Sequence, residues 1–247
     1  MIFDIYTMWL REMTRFVRAR SRIVSGLAMP FFWLALVGVG LSSSFRLPGM
    51  DYMDFLAPGI VAMIILFTSI FSGISVIWDR QFGFLKEILV APVSRTSIVL
   101  GKTVGSATVA LISGFLMLLI AMSLGVLQPS AGVLTSVVFM LLTAISFVSM
   151  GLIIASRMRS MEGFQMIMSF LVMPIFFLSG ALFPLENTPS WMQVASFFDP
   201  LTYGVDGIRS SFLGIGIFPI WLDFVVLTGF SACLILFATF LFRKSIM

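Results

Sequence analysis

Long apolar stretches separated by short polar connections make up most of the sequence. A helix needs about 20 mainly apolar residues to cross the hydrocarbon core of a bilayer. Six stretches reach that length, so the pattern predicts an all-α integral membrane protein with six transmembrane helices, in one domain covering residues 1–247. The predicted transmembrane helices are 23–45, 55–78, 103–127, 130–156, 163–183 and 224–242.

Residues 1–22, which precede these stretches, alternate bulky apolar and basic side chains. At helical spacing, one face carries Ile2, Tyr6, Trp9, Met13 and Phe16, and the opposite face carries Arg11, Arg15, Arg18 and Arg22. This pattern predicts a helix that lies in the membrane interface, with its aromatic face toward the acyl chains and its arginines toward anionic headgroups. A polybasic RNA-binding arm is the alternative interpretation.

A charged connection, residues 79–98, separates the second and third predicted spans. On a helix, its charged residues share one side and its large apolar residues share the other. The sequence therefore predicts a short amphipathic helix, which Ala91-Pro92 ends because the residue before a proline disfavours the helical conformation. Ser94 is predicted to cap the helix that follows. Such a helix can contact a soluble partner or lie on the membrane surface, and the connection alone leaves both possibilities open.

The stretch 184–222, between the fifth and sixth predicted spans, is richer in aromatic residues than a solvated loop would be. We expect one or two short helices that enter the outer leaflet partway and are interrupted at Pro189, Pro200 and Pro219. Non-helical backbone at such a depth requires cover from protein or contact with water. The stretch is therefore predicted to be a re-entrant, broken hairpin. Its aromatic residues are Trp191, Phe197, Phe198, Tyr203, Phe212 and Trp221.

Composition and charge support the membrane assignment and predict an orientation. The chain is 60% hydrophobic and 11% charged, whereas a soluble domain carries about 25% charged residues. With the N-terminus in the cytoplasm, every Lys and Arg except Arg46 and Arg209 lies on the cytoplasmic side. Basic residues set topology, so both termini and the charged connection are predicted to be cytoplasmic. Because the basic residues border apolar spans, we expect no nucleic-acid partner.

The predicted spans contain few side chains that could take part in catalysis or ion binding. The chain has no histidine, its one cysteine lies in an apolar run, and the predicted spans contain no Asp, Glu, Lys or Arg. Ion-coupled pumps normally keep ionisable groups at this depth, and a hydrolase needs a nucleophile with a base, or a metal. We therefore predict neither class, and no catalytic or metal-binding residue. Gly101-Lys102-Thr103 matches the end of a phosphate-binding loop by chance, because Thr96 stands where that pattern requires glycine.

Methionine and phenylalanine are concentrated on one stripe of the fifth predicted span. Thioethers and aromatic faces suit a surface that accepts varied apolar ligands, so this stripe is a candidate substrate pathway. Contact with lipid, or packing between helices, is the alternative for each residue. The candidates are Met166, Phe170, Met173 and Phe177, together with Phe67 on the second span.

Short motifs distributed over essentially the whole chain match a known pattern. They are Phe55-Leu56-Ala57-Pro58-Gly59, the connection with Arg80, Gly83, Leu85, Lys86 and Glu87, Ala91-Pro92-Val93-Ser94-Arg95 leading to Gly101-Lys102, Phe183-Pro184-Leu185-Glu186-Asn187, Asp199-Pro200-Leu201-Thr202-Tyr203 and Asp206-Gly207-Ile208-Arg209. With these motifs the chain resembles the membrane subunit of type-2 ATP-binding cassette (ABC) exporters, the group that includes daunorubicin-resistance permeases and nodulation-factor exporters.

The resemblance implies the partners, the cofactors and the function. It implies a dimer of permease subunits, here a homodimer, in the lipid of the cell membrane. Two separate ABC ATPase subunits would bind ATP and Mg²⁺, and this chain would bind no cofactor. The implied function is ATP-driven export of an amphiphilic drug, lipid or lipo-oligosaccharide. Export of a lipid-linked polysaccharide and a membrane scaffold without transport are the alternatives.

The resemblance also implies two groups of site residues. The charged connection would be the coupling helix that docks in a groove of the ATPase, and the outer hairpin would form a gate. The implied coupling residues are Asp79, Arg80, Gly83, Lys86, Glu87, Pro92 and Arg95, and the implied outer-gate residues are Asp199, Tyr203, Asp206 and Arg209.

Overall fold

Helices form the regular structure in the described part of the chain. The computed structural model describes residues 1–42, 50–82, 94–128, 130–158 and 160–244. In chain order the elements are α1 (Ile2–Arg18), α2 (Arg20–Phe32), a π-helical segment (Trp33–Val37), α3 (Gly38–Ser42), α4 (Tyr52–Phe71), α5 (Ile74–Gln81), α6 (Arg95–Ser123), α7 (Gly132–Arg157), α8 (Met161–Leu178), a 3₁₀ turn (Leu185–Asn187), α9 (Ser190–Ser196), α10 (Pro200–Leu213) and α11 (Ile220–Lys244).

Within the described ranges, six helical segments are long and apolar enough to cross a membrane. This confirms the predicted all-α fold with six spans, and the chain is an integral membrane protein. In order, spans one to six are Ile23–Ser42, Tyr52–Gln81, Arg95–Ser123, Gly132–Arg157, Met161–Leu178 and Ile220–Phe242.

Span three is longer at its N-terminal end than predicted. It begins at Arg95 rather than at residue 103, because Ser94 Oγ accepts a hydrogen bond from the Ser97 amide and caps the helix. The predicted cap is therefore confirmed, and the helix it starts is continuous with the span. Residues 95–98, assigned above to the coupling region, belong to this helix.

Spans two and five also end at other residues than the apolar pattern predicted. Span two continues through a turn at residues 72–73 and ends at Gln81 rather than at residue 78. Span five ends at Leu178 rather than at residue 183. The cause is Gly180, whose φ of 70° places it in the left-handed region, a conformation that commonly ends helices.

Spans two, three and four form the centre of the bundle. α4 packs against both α6 and α7, and α10 packs against α7, α11 and α4. The side chains between them include Ile60, Ile65, Phe139 and Phe147, all fully or almost fully buried. Spans one, five and six lie at the periphery, with most of their surface uncovered by the rest of the chain.

The N-terminal helix α1 lies along the start of span three. A Cβ atom added at Gly101 would collide with Met8, and one added at Gly105 would collide with Glu12, so the two glycines permit close approach of the helices. Trp9 Nε1 donates a hydrogen bond to Thr108 Oγ1 over 3.2 Å. The indole of Trp9, a residue that the sequence analysis placed on the aromatic face of α1, therefore contacts span three.

The outer segment contains the short helices that the prolines predicted. Pro189 directly precedes α9, Pro200 is the first residue of α10, and Pro219 directly precedes α11. Proline is favoured at the first helical position because its missing amide would have no partner there. α10 is buried along residues 200–209, so protein covers its backbone.

Candidate functional site

A buried ion cluster joins three helices at one end of the bundle. The Asp79 carboxylate, near the end of span two, accepts a hydrogen bond from Lys102 Nζ of span three over 2.6 Å. The Arg11 guanidinium of α1 donates to the other carboxylate oxygen. Asp79 and Lys102 are only 3% and 1% exposed. We call these residues, with Glu12 and Arg15 beside them, the charge cluster.

Glu12 and Arg15 complete the charge cluster without forming close hydrogen bonds. Arg15 Nη1 lies 3.7 Å from Glu12 Oε1 and 4.0 Å from Asp79 Oδ1. Both Arg15 Nη1 and Glu12 Oε1 are buried and have no hydrogen-bond partner within the described residues. The cluster therefore holds three cations and two carboxylates, which leaves an excess of one positive charge at neutral pH.

The charge cluster corrects two expectations. The predicted spans contained no ionisable residue, but both Asp79 and Lys102 lie within the spanning helices. Arg11 was expected to face lipid headgroups, and it instead pairs with Asp79. The sequence carried a signal for this pairing, because opposite charges stand at the two ends of one short connection between consecutive spans.

The coupling residues implied by the resemblance occupy different environments. Arg80 donates to the carbonyl oxygens of Ser156 and Met158, each over 3.0 Å, and so satisfies carbonyls at the C-terminal end of α7. Asp79 and Arg80 therefore both contact other helices of this chain and do not project into solvent. Arg95 is the first residue of α6. Gly83, Lys86, Glu87 and Pro92, like the predicted amphipathic helix itself, lie outside the described residues.

A cavity of about 450 Å³ lies next to the charge cluster. Its walls come from α1 and from spans one, two, three and five, and we call it the inner cavity. Its volume falls in the range of about 300–1,000 Å³ typical of small-molecule sites. Apolar residues line one part of it and charged or hydroxyl side chains line another. The apolar lining includes Trp33, Phe67, Phe71, Met173, Phe176 and Phe177, and the polar lining includes Glu12, Arg15, Ser72, Ser75 and Ser106.

The candidate pathway residues divide into two groups. Phe67, Met173 and Phe177 line the inner cavity. Met166 and Phe170 do not; they lie on the outer surface of α8, where Phe170 is 79% exposed. On α8, the apolar stripe therefore has two parts. Met173 and Phe177 line the inner cavity, and Met166 and Phe170 lie on the surface that the rest of the chain does not cover.

The residues of the implied outer gate hold α10 in place. Asp199 caps the helix by accepting a hydrogen bond from the Leu201 amide over 2.9 Å. Tyr203 donates through its hydroxyl to the Phe197 carbonyl over 2.8 Å. Asp206 accepts hydrogen bonds from the Ile217 and Phe218 amides, each over 2.9 Å, which connects α10 to the chain before α11.

Arg209 joins α10 to spans two and five. Its guanidinium donates to the carbonyl oxygens of Phe55 and Gly180 over 3.3 and 3.0 Å. It also lies 3.8 Å from the centroid of the Phe55 ring, a cation–π arrangement. Arg209 and Asp206 line a second, smaller cavity of about 180 Å³.

Burial shifts the titration of these outer groups. It raises the pKa of Asp199 to about 7, against the hydrogen bond from the Leu201 amide. It also raises the pKa of Asp206, although two amide hydrogen bonds and the Arg209 charge oppose the shift. Burial lowers the pKa of Arg209 to about 10. A charge at these positions is therefore costly unless a partner compensates it.

Asp223, at the start of span six, is a buried carboxylate that the sequence analysis did not select. It is fully buried, and neither carboxylate oxygen has a hydrogen-bond partner among the described residues. Within those residues, no group of three or more His, Cys, Asp or Glu side chains could hold a metal ion. The outer carboxylates are thus not arranged as metal ligands.

Comparison with known proteins identifies relatives over most of the chain. The chain is 30% identical over 213 residues to the putative transport permease ycf38 of Cyanophora paradoxa, covering 84% of this chain and 73% of that protein. It is 28% identical over 243 residues to nodulation protein J of Rhizobium leguminosarum bv. viciae, covering 97% and 93%. It is 26% identical over 227 residues to the inner membrane transport permease YadH of Escherichia coli K12, covering 91% and 88%.

The sequence profile of one family matches the chain from the N-terminal helix to the end of α10. That family is the ABC-2 type transporter family, and the match covers residues 4–213. The matched range includes the charge cluster, the inner cavity and α10. The chain belongs to the ABC-2 type transporter family.

Proposed function

We propose that this chain is the permease subunit of an ATP-driven exporter that moves an amphiphilic molecule outward across the cell membrane. The transported class would be a drug, a lipid or a lipo-oligosaccharide. Two ABC ATPase subunits would bind ATP and Mg²⁺ on the cytoplasmic side, and this chain would bind neither. Membership of the ABC-2 type transporter family supports the ATPase partners.

The observation that carries the proposal is the position of the charge cluster. Asp79 and Lys102 border the connection in which the resemblance places the ATPase contact, and Arg11 attaches α1 to the same point. Glu12, Arg15 and Ser75 of this region also line the inner cavity. A displacement of the connection would therefore act on two walls of the cavity through short, buried contacts.

The second copy of the permease would pack against the uncovered side of span five. Phe170 and Met166 are exposed there, beside the part of α8 that lines the inner cavity. A partner helix on this surface would adjoin the cavity wall. We expect cysteines placed at Phe170, in a chain with Cys233→Ser, to crosslink two copies. Crosslinking equal to that of a cysteine at the buried Phe139 would contradict this arrangement.

The ATPase contact is tested by reversing one charge of the connection. Losing one partner of an interfacial charge pair costs about 2–5 kcal/mol, which is a fall in affinity of about thirtyfold or more. Glu87→Lys should therefore reduce co-purification of the ATPase, or preserve it while abolishing substrate-stimulated ATP hydrolysis. Glu186→Lys is the matched control, because Glu186 is exposed in the outer segment. Equal complex yield and equal stimulated hydrolysis in both variants would exclude this contact.

A further inference from the structure

The polar end of the inner cavity contains charged groups with unused hydrogen-bonding capacity. Arg15 and Glu12 line the cavity, and two of their atoms, Arg15 Nη1 and Glu12 Oε1, are buried and have no hydrogen-bond partner within the described residues. Their separation of 3.7 Å is too long for a hydrogen bond between them. Buried polar groups are normally paired, so these two atoms indicate a place for polar groups of a ligand.

The charges around these atoms favour an anion. Arg11 and Lys102 both use their nearest contacts on Asp79, and the charge cluster as a whole keeps an excess of one positive charge. Arg15 is therefore the cation available to a ligand. Glu12 beside it can accept a hydrogen bond from a hydroxyl or ammonium group of the same ligand.

The rest of the inner cavity suits an apolar chain. Trp33, Phe67, Phe71 and Phe176 line the cavity and are joined by ring contacts between Trp33 and Phe176, Phe67 and Phe176, and Phe67 and Phe71. Met173 and Phe177 line the cavity as well. Methionine and aromatic side chains accept apolar groups of varied shape. One molecule can therefore place an acyl chain among these residues while its head contacts Arg15 and Glu12.

We propose that the inner cavity binds an amphiphile with one apolar chain and an anionic head, a phosphate diester or a carboxylate, that also carries a hydrogen-bond donor. Arg15 binds the anionic oxygen and Glu12 accepts the donor. The inference rests on the proposed function only in taking the inner cavity as the substrate site. It narrows the substrate from amphiphiles in general to anionic ones that approach from the leaflet on the side of the charge cluster.

The test measures binding of three probes to the full chain in phosphatidylcholine nanodiscs. The probes are photoactivatable single-chain alkyl phosphate diesters without a glycerol backbone, which carry the same chain and a phosphoglycerol, a phosphomethyl or a phosphocholine head. We expect crosslinks to the cavity walls in that order, with phosphoglycerol about tenfold above phosphocholine, equivalent to about 1.4 kcal/mol. Equal crosslinking of all three would overturn the proposal, and equal phosphoglycerol and phosphomethyl crosslinking would overturn the role of Glu12.

Two pairs of variants locate the head and the chain. Arg15→Gln should remove the preference for anionic heads, whereas Arg18→Gln, which removes a charge from an exposed position on the same helix, should retain it. Gly26→Leu should abolish crosslinking, because Gly26 lines the cavity and an added side chain meets no atom nearby. Gly40→Leu is its control on the same span, also in open space. Retained head preference in Arg15→Gln would overturn the assignment.

A competition experiment distinguishes binding of the whole amphiphile from binding of its head group alone. An excess of unlabelled lysophosphatidylglycerol should remove the crosslinks, and glycerol phosphate should not; displacement by glycerol phosphate would show a site for free phosphate and overturn the proposal. The outcome is independent of transport. Head-selective binding without ATP-dependent transport would contradict the proposed function alone, and transport without head selectivity would contradict only this inference.

Discussion

Asp79 compensates two cations in a part of the molecule from which water is largely excluded. Lys102 comes from span three and Arg11 from α1, and both contact the same carboxylate. A buried ion pair contributes little net stability compared with apolar packing, but removal of one member leaves an uncompensated charge. The relative loss of stability in each variant can therefore be predicted from which of the remaining charged side chains keep a partner.

Asp79→Asn should be strongly destabilising, because Lys102 and Arg11 both lose their counter-ion. Breaking a buried pair in this way costs about 3–5 kcal/mol. Lys102→Met should cost less, since Asp79 keeps Arg11. The measurement is the unfolding midpoint in detergent for the two variants, with Asp51→Asn at an exposed position as the control. A midpoint for Asp79→Asn equal to that of the control would contradict the role of the charge cluster.

Asp199 should make the stability of the outer region depend on pH. Burial raises the pKa of Asp199 to about 7, so the folded state binds this proton more readily than the unfolded state does. The resulting stabilisation is absent above the folded pKa, appears as the pH falls through it, and is complete below the unfolded value. The wild type should therefore gain stability between about pH 8 and about pH 6.

Asp199→Asn isolates that contribution, because the amide keeps an oxygen that can cap α10 and cannot ionise. The unfolding midpoint of this variant should change less between the two pH values than that of the wild type. Asp51→Asn, at an exposed site, should keep the wild-type dependence. A wild-type pH dependence in Asp199→Asn would assign the effect to other groups.

At the scale of helices, α1 depends on a close contact that two glycines permit. A side chain at Gly101 would collide with Met8 and make a tight contact with the backbone of Ile5. Gly101→Val should therefore separate α1 from span three and expose Met8. The measurement is the labelling rate of a cysteine at position 8, in a chain with Cys233→Ser, by a water-soluble thiol reagent. Gly229→Val, where an added Cβ meets nothing, is the control, and unchanged labelling in Gly101→Val would contradict the contact.

The sequence predicted the helices better than their contacts. Apolar length located six spans, and Ser94 and the prolines located helix starts, because these signals act within a few residues. The partner of Asp79 could not be predicted in the same way, since both Asp79 and Lys102 fell just outside spans defined by hydropathy. Arg11 and Trp9 were assigned to lipid because the helical pattern of α1 shows two faces but not which of them another helix covers.

The residues that line the inner cavity were predicted only in part, because a sequence pattern does not show how the spans pack against one another. Phe67, Met173 and Phe177 line the inner cavity, as the pathway hypothesis requires, while Met166 and Phe170 do not. Periodicity places residues on one stripe, but the arrangement of spans decides which part of a stripe meets a cavity. Asp223 was not selected because it lies one residue before the predicted span 224–242, where a carboxylate is expected at the membrane surface.

At the scale of the whole molecule, the distribution of basic residues predicts that both termini are cytoplasmic. A cysteine at the exposed Asn187, in a chain with Cys233→Ser, should react with an impermeant reagent added outside intact cells. Tags at Met1 and Met247 should react only after the membrane is opened. A tag at Met247 that is accessible from outside would require an odd number of spans and contradict the topology.

ATP-dependent uptake into inside-out membrane vesicles tests the central claim most directly. Vesicles that contain the permease and its ATPase should accumulate fluorescent amphiphiles in the lumen only when ATP is present. Uptake should fall about tenfold or more in Glu87→Lys and in Gly26→Leu. A tenfold fall corresponds to an increase of about 1.4 kcal/mol in the activation free energy of transport. Uptake should persist in Glu186→Lys and Gly40→Leu. Uptake that does not require ATP, or that is equal in Glu87→Lys and the wild type, would contradict an ATP-driven exporter coupled through the charged connection.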